Sequence, residues 1–211
     1  MTDAHRGLLI DAGGVLITDP FASFDAFCAR AGLPPTPFLQ RYRESPELGS
    51  LMHRLEVGEL EHVDAEPQLA RIIGLPPERA EGLFAELYAD VVLVPKMTAA
   101  VERLHDAGVP TGLLSNSWYL PVYDDPFYAR AFDARVISGH CGVRKPDPRI
   151  FELGVDALGV PAEEIVFVDD FAENLPPAEA MGMRAVLHRP TEPERTIREL
   201  ERLFAVALDR R

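Results

Sequence analysis

Five short apolar runs punctuate this chain, each followed by polar or turn-forming residues: 8-LLIDA, 111-TGLLS, 134-ARVIS, 165-IVFVD and 184-RAVLH. None alternates cleanly between apolar and polar side chains, so each reads as a strand covered on both faces. Helical patterns lie between them. Residues 98–107 place Val101, Leu104 and Ala107 on one side and stop at Gly108. Asp147-Pro148 predicts an N-cap with proline at the first helical position, opening a helix through Ile150, Phe151, Leu153 and Leu158 to Gly159. A third helix is expected over 176–181, ended by Gly182, and an amphipathic one over 193–208. Strand–helix alternation of this kind predicts an α/β fold with a doubly wound, parallel, five-stranded Rossmann-like sheet.

The stretch 19–93 breaks the alternation. It holds no convincing strand and several helix-like pieces, one of them with Phe21, Phe24, Phe27 and Cys28 on a single face. The expected organisation is a core of residues 1–18 and 94–211 with a small α-helical cap, 19–93, inserted straight after the first strand. Such an insert stands above the C-terminal edge of the sheet, where α/β proteins bind ligands, and that position favours a lid over a passive embellishment.

Composition narrows the partners. Hydrophobic residues make up 47% and charged residues 26%, an ordinary globular mixture. The net charge of −13 repels phosphate backbones, so no nucleic-acid partner is expected. Cys28 and Cys141 belong to no CxxC pair and suggest neither a disulfide framework nor a zinc site, which favours a reducing, cytoplasmic location. No apolar run approaches ~20 residues, so no membrane association is expected.

Chemistry gathers at the strand ends. The first run ends in Asp11, the second in Ser115-Asn116 and the fourth in Asp169-Asp170; Lys145 follows the third, just ahead of Pro146-Asp147-Pro148. In a parallel sheet these ends lie on one edge, so a carboxylate, a hydroxyl, an ammonium and a carboxylate pair converge. Taken singly, Asp11 or Asp170 reads as a helix cap, Ser115 as a turn residue and Lys145 as solvated surface. Together, and in this order, they point to a site. Three close carboxylates must take up protons or bind a cation, and oxygen-only ligands suit a hard ion such as Mg²⁺. Lys145, Ser115 and backbone N–H groups would then receive the oxygens of a phosphoryl group.

The segments 8-LLIDAGGVL-16, 111-TGLLSNS-117, 142-GVRKPDPRIF-151 and 165-IVFVDDFAEN-174 resemble the haloacid dehalogenase-like hydrolases. The match is to the phosphatase branch with a small helical cap after the first motif, which includes bacterial glucose-1-phosphate phosphatases and the phosphatase domain attached to epoxide hydrolases. The resemblance implies a Mg²⁺-dependent phosphatase acting on a small phosphorylated substrate, a sugar phosphate among the candidates. It implies Asp11 as the nucleophile, Ser115 and Asn116 as phosphoryl-binding groups, and Lys145 as the neutralising cation. Asp170 and the Gly13 carbonyl would join Asp11 as metal ligands. Asp169 would be a further ligand or an outer partner, and Asn174 an outer partner.

One position departs from the pattern. The family's first motif has a second aspartate two residues after the nucleophile, which protonates the leaving group and then activates water; here that residue is Gly13. Such general acid–base help is typically worth ~100- to 10,000-fold. Three readings follow: a substrate with a good leaving group, a substitute acid such as His53 of the cap or a water, or a non-catalytic protein that keeps phosphate or partner binding. A dehalogenase is a further alternative, disfavoured because displacing halide from carbon needs no metal. Trp118 and Tyr119 either line the substrate mouth or pack core against cap. Arg144 meets a substrate oxygen or solvent. Phe171 reads as packing, and the remaining histidines as surface or capping residues.

Overall fold

The computed structural model describes residues 5–208. Strands β1 (Gly7–Ile10), β2 (Thr111–Ser115), β3 (Ala134–Ile137), β4 (Ile165–Asp169) and β5 (Arg184–Leu187) form one sheet in the order β3-β2-β1-β4-β5. Every neighbouring pair is parallel, with Leu8 opposite both Thr111 and Val166. The doubly wound sheet expected from the apolar runs is therefore present. Its edge differs from expectation: in β5, Arg184 and Leu187 are exposed, because this strand has a single sheet neighbour and incomplete cover.

Helices α1 (Pro20–Arg30), α2 (Phe38–Glu44), α3 (Pro46–Glu56), α4 (His62–Ile73) and α5 (Leu83–Leu87) lie between β1 and the rest of the core. They are followed by α6 (Pro95–Asp106), α7 (Pro126–Ala131), α8 (Ser138–Cys141), α9 (Pro148–Leu158), α10 (Leu175–Ala180) and α11 (Pro193–Phe204). Alternate residues of β1 face opposite layers. Leu8 and Ile10 pack with α6, α7 and α11, whereas Leu9 packs with α9 and α10. Helix α9 starts and stops as its sequence dictates: the Asp147 carboxylate accepts from the Arg149 N–H, Pro148 opens the helix, and Gly159 closes it in the left-handed region.

Helix α11 ends four residues before the expected Leu208. Ala205 turns at φ 55, the Leu208 N–H donates to the Glu201 carboxylate at 2.7 Å, and Arg103 donates to the Leu208 carbonyl. The turn folds Leu208 back into the core, and burying that side chain offsets the cost of a left-handed alanine.

The helical insert has its own apolar cluster, centred on Phe24, Phe38, Leu48, Met52, Leu69 and Phe84. Its two connections run side by side, joined by Thr18 N–H to Val92 O (2.9 Å) and Val94 N–H to Leu16 O (2.8 Å). In α3, Ser45 caps the first turn and Leu48, Leu51, Met52 and Leu55 form the buried stripe. The chain after α3 then touches the core closely. A Cβ on Gly58, whose φ is +69, would stand 2.2 Å from the Gly139 carbonyl oxygen of α8, so only glycine permits the approach.

Candidate active site

The strand order turns at β1, and the crevice between the C-terminal ends of β1 and β4 is where such a sheet binds ligands. The Asp11 N–H donates to Val168 O at 2.9 Å, which continues the β1–β4 ladder and sets Asp11 beside the end of β4. Lys145 Nζ lies 2.9 Å from Asp11 Oδ1 and 2.6 Å from Asp169 Oδ2. All three residues are buried. Burial works against the ammonium of Lys145, but Asp11 and Asp169 outweigh it and raise its pKa, so it stays charged. For Asp11 burial raises the pKa and is the largest influence, with Lys145 opposing it and Asp169 adding to it.

Asp169 is fully engaged. Its carboxylate accepts from the Phe171 N–H (2.8 Å), from Asn174 Nδ2 (3.0 and 3.1 Å) and from Lys145 Nζ. Asp170 is the opposite case. Its Oδ1 is buried with no hydrogen-bond partner, and burial, then Asp11 and Asp169, push its carboxyl up to about 8. Beneath it, a Cβ on Gly14 (φ +66) would stand 2.2 Å from Asp170 Oδ2, so the second glycine of the pair is the one the backbone requires. Ligand oxygens of Asp11, Asp169 and Asp170 lie within 4.8 Å of one another. An orphaned carboxylate oxygen in an all-oxygen cluster fits a hard divalent cation, with Asp170 and Asp11 the free donors.

Asn116 turns both ends of its amide to the Lys145 backbone, Oδ1 accepting from N–H (2.8 Å) and Nδ2 donating to C=O (3.0 Å). It thereby positions the lysine while still facing the site. Ser115 is buried at the end of β2, and Tyr123 donates to its Oγ at 3.0 Å. A cavity of about 160 Å³ opens in front of this group, walled by Asp11, Gly13, Asn116, Lys145 and Asp170 on the core side. Ser115 and Asp169 stand behind that wall and do not form part of it.

The opposite wall comes from the insert and its aromatic neighbours: Phe21, Tyr42, Glu56, Trp118 and Phe171. Trp118 meets Phe21 at 5.3 Å and Tyr42 at 5.5 Å between ring centroids, so it both packs and lines. Phe171 also lines the cavity, beyond the packing role its sequence suggested. His53 does not reach the site, since it points to solvent on α3. His188 is buried against Thr196, not on the surface, with Nδ1 to Oγ1 at 2.8 Å. Glu56 is the residue sequence reasoning missed. It falls eight residues after Leu48 on the buried stripe of α3, and a carboxylate continuing an apolar stripe was the available signal. Its Oε2 lies 2.6 Å from Nη1 of Arg144, which is thus paired while remaining partly open to solvent.

Known proteins are similar to this chain in sequence and in fold. The model of the haloacid dehalogenase-like hydrolases matches residues 5–182. Acyl-CoA dehydrogenase family member 10 of Mus musculus is 27% identical over 97% of this chain, which spans only 20% of that protein's length. The sesquiterpene phosphatase astK of Aspergillus oryzae is 27% identical, covering 87% of this chain and 89% of its own. In fold, the HAD family enzyme bt-2542 of Bacteroides thetaiotaomicron superposes with a TM-score of 0.72 at 21% identity, covering 89% of this chain and 95% of that one. Another structure of that enzyme is a complex with magnesium and inorganic phosphate. By motif, sheet order and family match, this chain belongs to the haloacid dehalogenase-like hydrolases.

Proposed function

We propose that this chain is a Mg²⁺-dependent phosphatase that hydrolyses a small phosphorylated substrate through an aspartyl phosphate on Asp11. The observation that carries the reading is the Asp11 carboxylate itself: buried at the sheet's C-terminal edge, facing a cavity, and 2.9 Å from a buried lysine. An anion entering there meets Lys145 Nζ, which offsets charge on the nucleophile and on the phosphoryl oxygens together. Asn116 acts through Lys145 by fixing its backbone, and Ser115 supports the same edge from behind. Asp11, Asp170 and the Gly13 carbonyl would hold Mg²⁺, which when bound neutralises phosphoryl charge. Asp169 holds Lys145 in place, and Asn174 holds Asp169.

The aromatic wall supports a leaving group with an apolar or planar face. The cavity of about 160 Å³ is on the scale of the ~150 Å³ that holds one benzene ring, and the phosphoryl group shares it, so the alcohol must be compact. Closure of the helical insert would exclude water from the first step and select the substrate. The test is phosphate release from a panel of sugar, prenyl, aryl and nucleotide monophosphates with Mg²⁺ present. Asp11→Asn and chelation should each abolish release, and undiminished turnover by Asp11→Asn would overturn the mechanism.

Gly13 supports a second reading, a phosphate- or partner-binding protein without turnover. It predicts binding of phosphate analogues and no hydrolysis anywhere in the panel. Halide release that survives chelation would instead place the chain among dehalogenases.

A further inference from the structure

We propose that Glu56, at the end of α3, is the general acid and then the general base of this reaction, supplied by the insert in place of a side chain at position 13. The inference rests on the phosphatase reading of the same cavity. Packing does not forbid a side chain at Gly13. A Cβ there would meet nothing nearer than Pro20 Cδ at 3.7 Å and Asp11 Oδ2 at 4.0 Å. The proton function is therefore to be sought elsewhere on the cavity wall.

Two further carboxylates on that wall, Asp19 and Glu173, have other work or the wrong setting. Asp19 caps α1, accepting from the Phe21 N–H at 2.9 Å. Glu173 is exposed and lies 3.8 Å from Arg43. Glu56 is 4% exposed, opens onto the cavity that holds Asp11, and caps nothing. The second buried glutamate of the insert, Glu66, shows what a structural role looks like: it accepts from the N–H groups of Gly82 (3.0 Å) and Phe84 (3.2 Å). Glu56 Oε2 lies 2.6 Å from the Arg144 guanidinium without standard hydrogen-bond geometry, and the Trp118 indole N–H is the other donor close to the carboxyl. The contact of Gly58 with Gly139, two residues on, fixes this end of α3 against the core.

The surroundings suit a group that both gives and takes a proton. Burial pushes the Glu56 carboxyl up to about 7, with Arg144, Trp118 and Lys145 favouring its charged form and Asp11 disfavouring it. Tyr42 and Tyr88 also face it; burial raises the pKa of both phenols, and the Glu56 charge adds to the shift. In the first step Asp11 attacks phosphorus, the bond to the leaving oxygen breaks, and that oxygen takes the proton from Glu56, whose carboxylate is then stabilised by Arg144. In the second, Glu56 takes a proton from the water that attacks phosphorus. The Asp11–phosphorus bond breaks, and phosphate leaves with Asp11 and Glu56 restored.

The test compares an alkyl phosphate, whose poor leaving group needs a proton, with p-nitrophenyl phosphate, whose leaving group does not. Glu56→Gln should lower kcat/KM for the alkyl ester by ~100- to 10,000-fold and for the aryl ester by less than ~10-fold. It should also release a burst of nitrophenolate as the aspartyl phosphate accumulates. In the unsubstituted enzyme the alkyl-to-aryl ratio of kcat/KM should fall as pH rises through about 7, a readout that needs no variant and cancels ionisations common to both substrates. Adding Gly13→Asp to Glu56→Gln should restore part of the alkyl activity. Equal losses on both esters combined with a pH-independent ratio would overturn the proposal while leaving the phosphatase reading intact. Hydrolysis of neither ester, nor of any other phosphate, by the unsubstituted enzyme would sink both.

Discussion

Two buried ionic groups sit on opposite walls of one cavity, and they are built differently. On the core side, Lys145 lies between Asp11 and Asp169, and Asp169 is further held by the Phe171 N–H and by Asn174. On the other side, Glu56 of the insert meets Arg144 of the core, whose side chain is 27% exposed. The first group is over-determined: each carboxylate has a cation, the cation has two, and the Lys145 ammonium stays charged. The second has one partner, reachable by water, and a carboxyl that titrates near neutrality. A rigid charged cradle suits holding an anion. A loosely paired carboxyl suits moving a proton.

The largest break in this contrast is Lys145→Met. Removing the cation leaves Asp11 and Asp169 without their counter-charge in a buried site, and deleting one partner of a buried pair costs about 3–5 kcal/mol. Urea denaturation at neutral pH should show a loss of that order, together with loss of phosphate release. A loss under ~1 kcal/mol would mean the carboxylates shed their charge freely, and the cradle would then be no more fixed than the Glu56 pair.

The cradle was readable in the sequence because each of its parts ends an apolar run or opens a helix. Asp11 and Asp169 are pinned to a shared edge by strand direction alone, and Lys145 follows the third run to the same edge, where Asn116 holds its backbone. Glu56 was not readable in that way. Its place depends on how an inserted helix docks, and the contacts that dock it, the close approach of Gly58 to Gly139 and the Trp118 and Tyr119 rings against the insert, leave no periodic trace. The same holds for the two glycines after Asp11. The sequence shows two glycines side by side, but only the positive φ of Gly14 and the crowding by Asp170 tell which one is obligatory. The end of α11 escaped for a related reason: the amphipathic pattern continues to Leu208, while the chain bends at Ala205 to bury it.

Stability against pH gives the next test, of intermediate size. The Glu56 carboxyl is raised from 4.5 to about 7 on folding, so the native state binds the extra proton between those values. Stability from this group is therefore lost as pH rises across that window, by on the order of 3 kcal/mol in all. His188 works the other way. Burial lowers it from 6.5 to about 4, so the unfolded chain binds the extra proton, and stability is gained as pH rises from about 4 to 6.5. In the unsubstituted protein the two slopes oppose each other. Urea midpoints for Glu56→Gln should therefore gain on it steadily as pH rises through the window of Glu56, because one falling slope is removed while that of Asp170 and the opposing one of His188 remain. A difference that stays constant across that window would mean Glu56 is ionised throughout.

Arg144→Met should have the smallest effect and the most specific one. In mildly acid buffer Glu56 is neutral, so losing a partly exposed guanidinium should cost no more than about 1 kcal/mol. Arg144 also donates to the Lys145 carbonyl at 3.1 Å and to the Tyr42 hydroxyl at 3.4 Å, both at the cavity rim. Without the cation, nothing nearby opposes burial as strongly, and the Glu56 carboxyl should rise further, by on the order of one pH unit. The alkyl-to-aryl activity ratio reads this directly: its fall with pH should move upward by that amount, while Lys145→Met removes activity altogether. If the fall moved downward or stayed in place, Arg144 would not be the group that sets the Glu56 proton, and the two walls of the cavity would not divide anion holding from proton transfer in the way their pairing indicates.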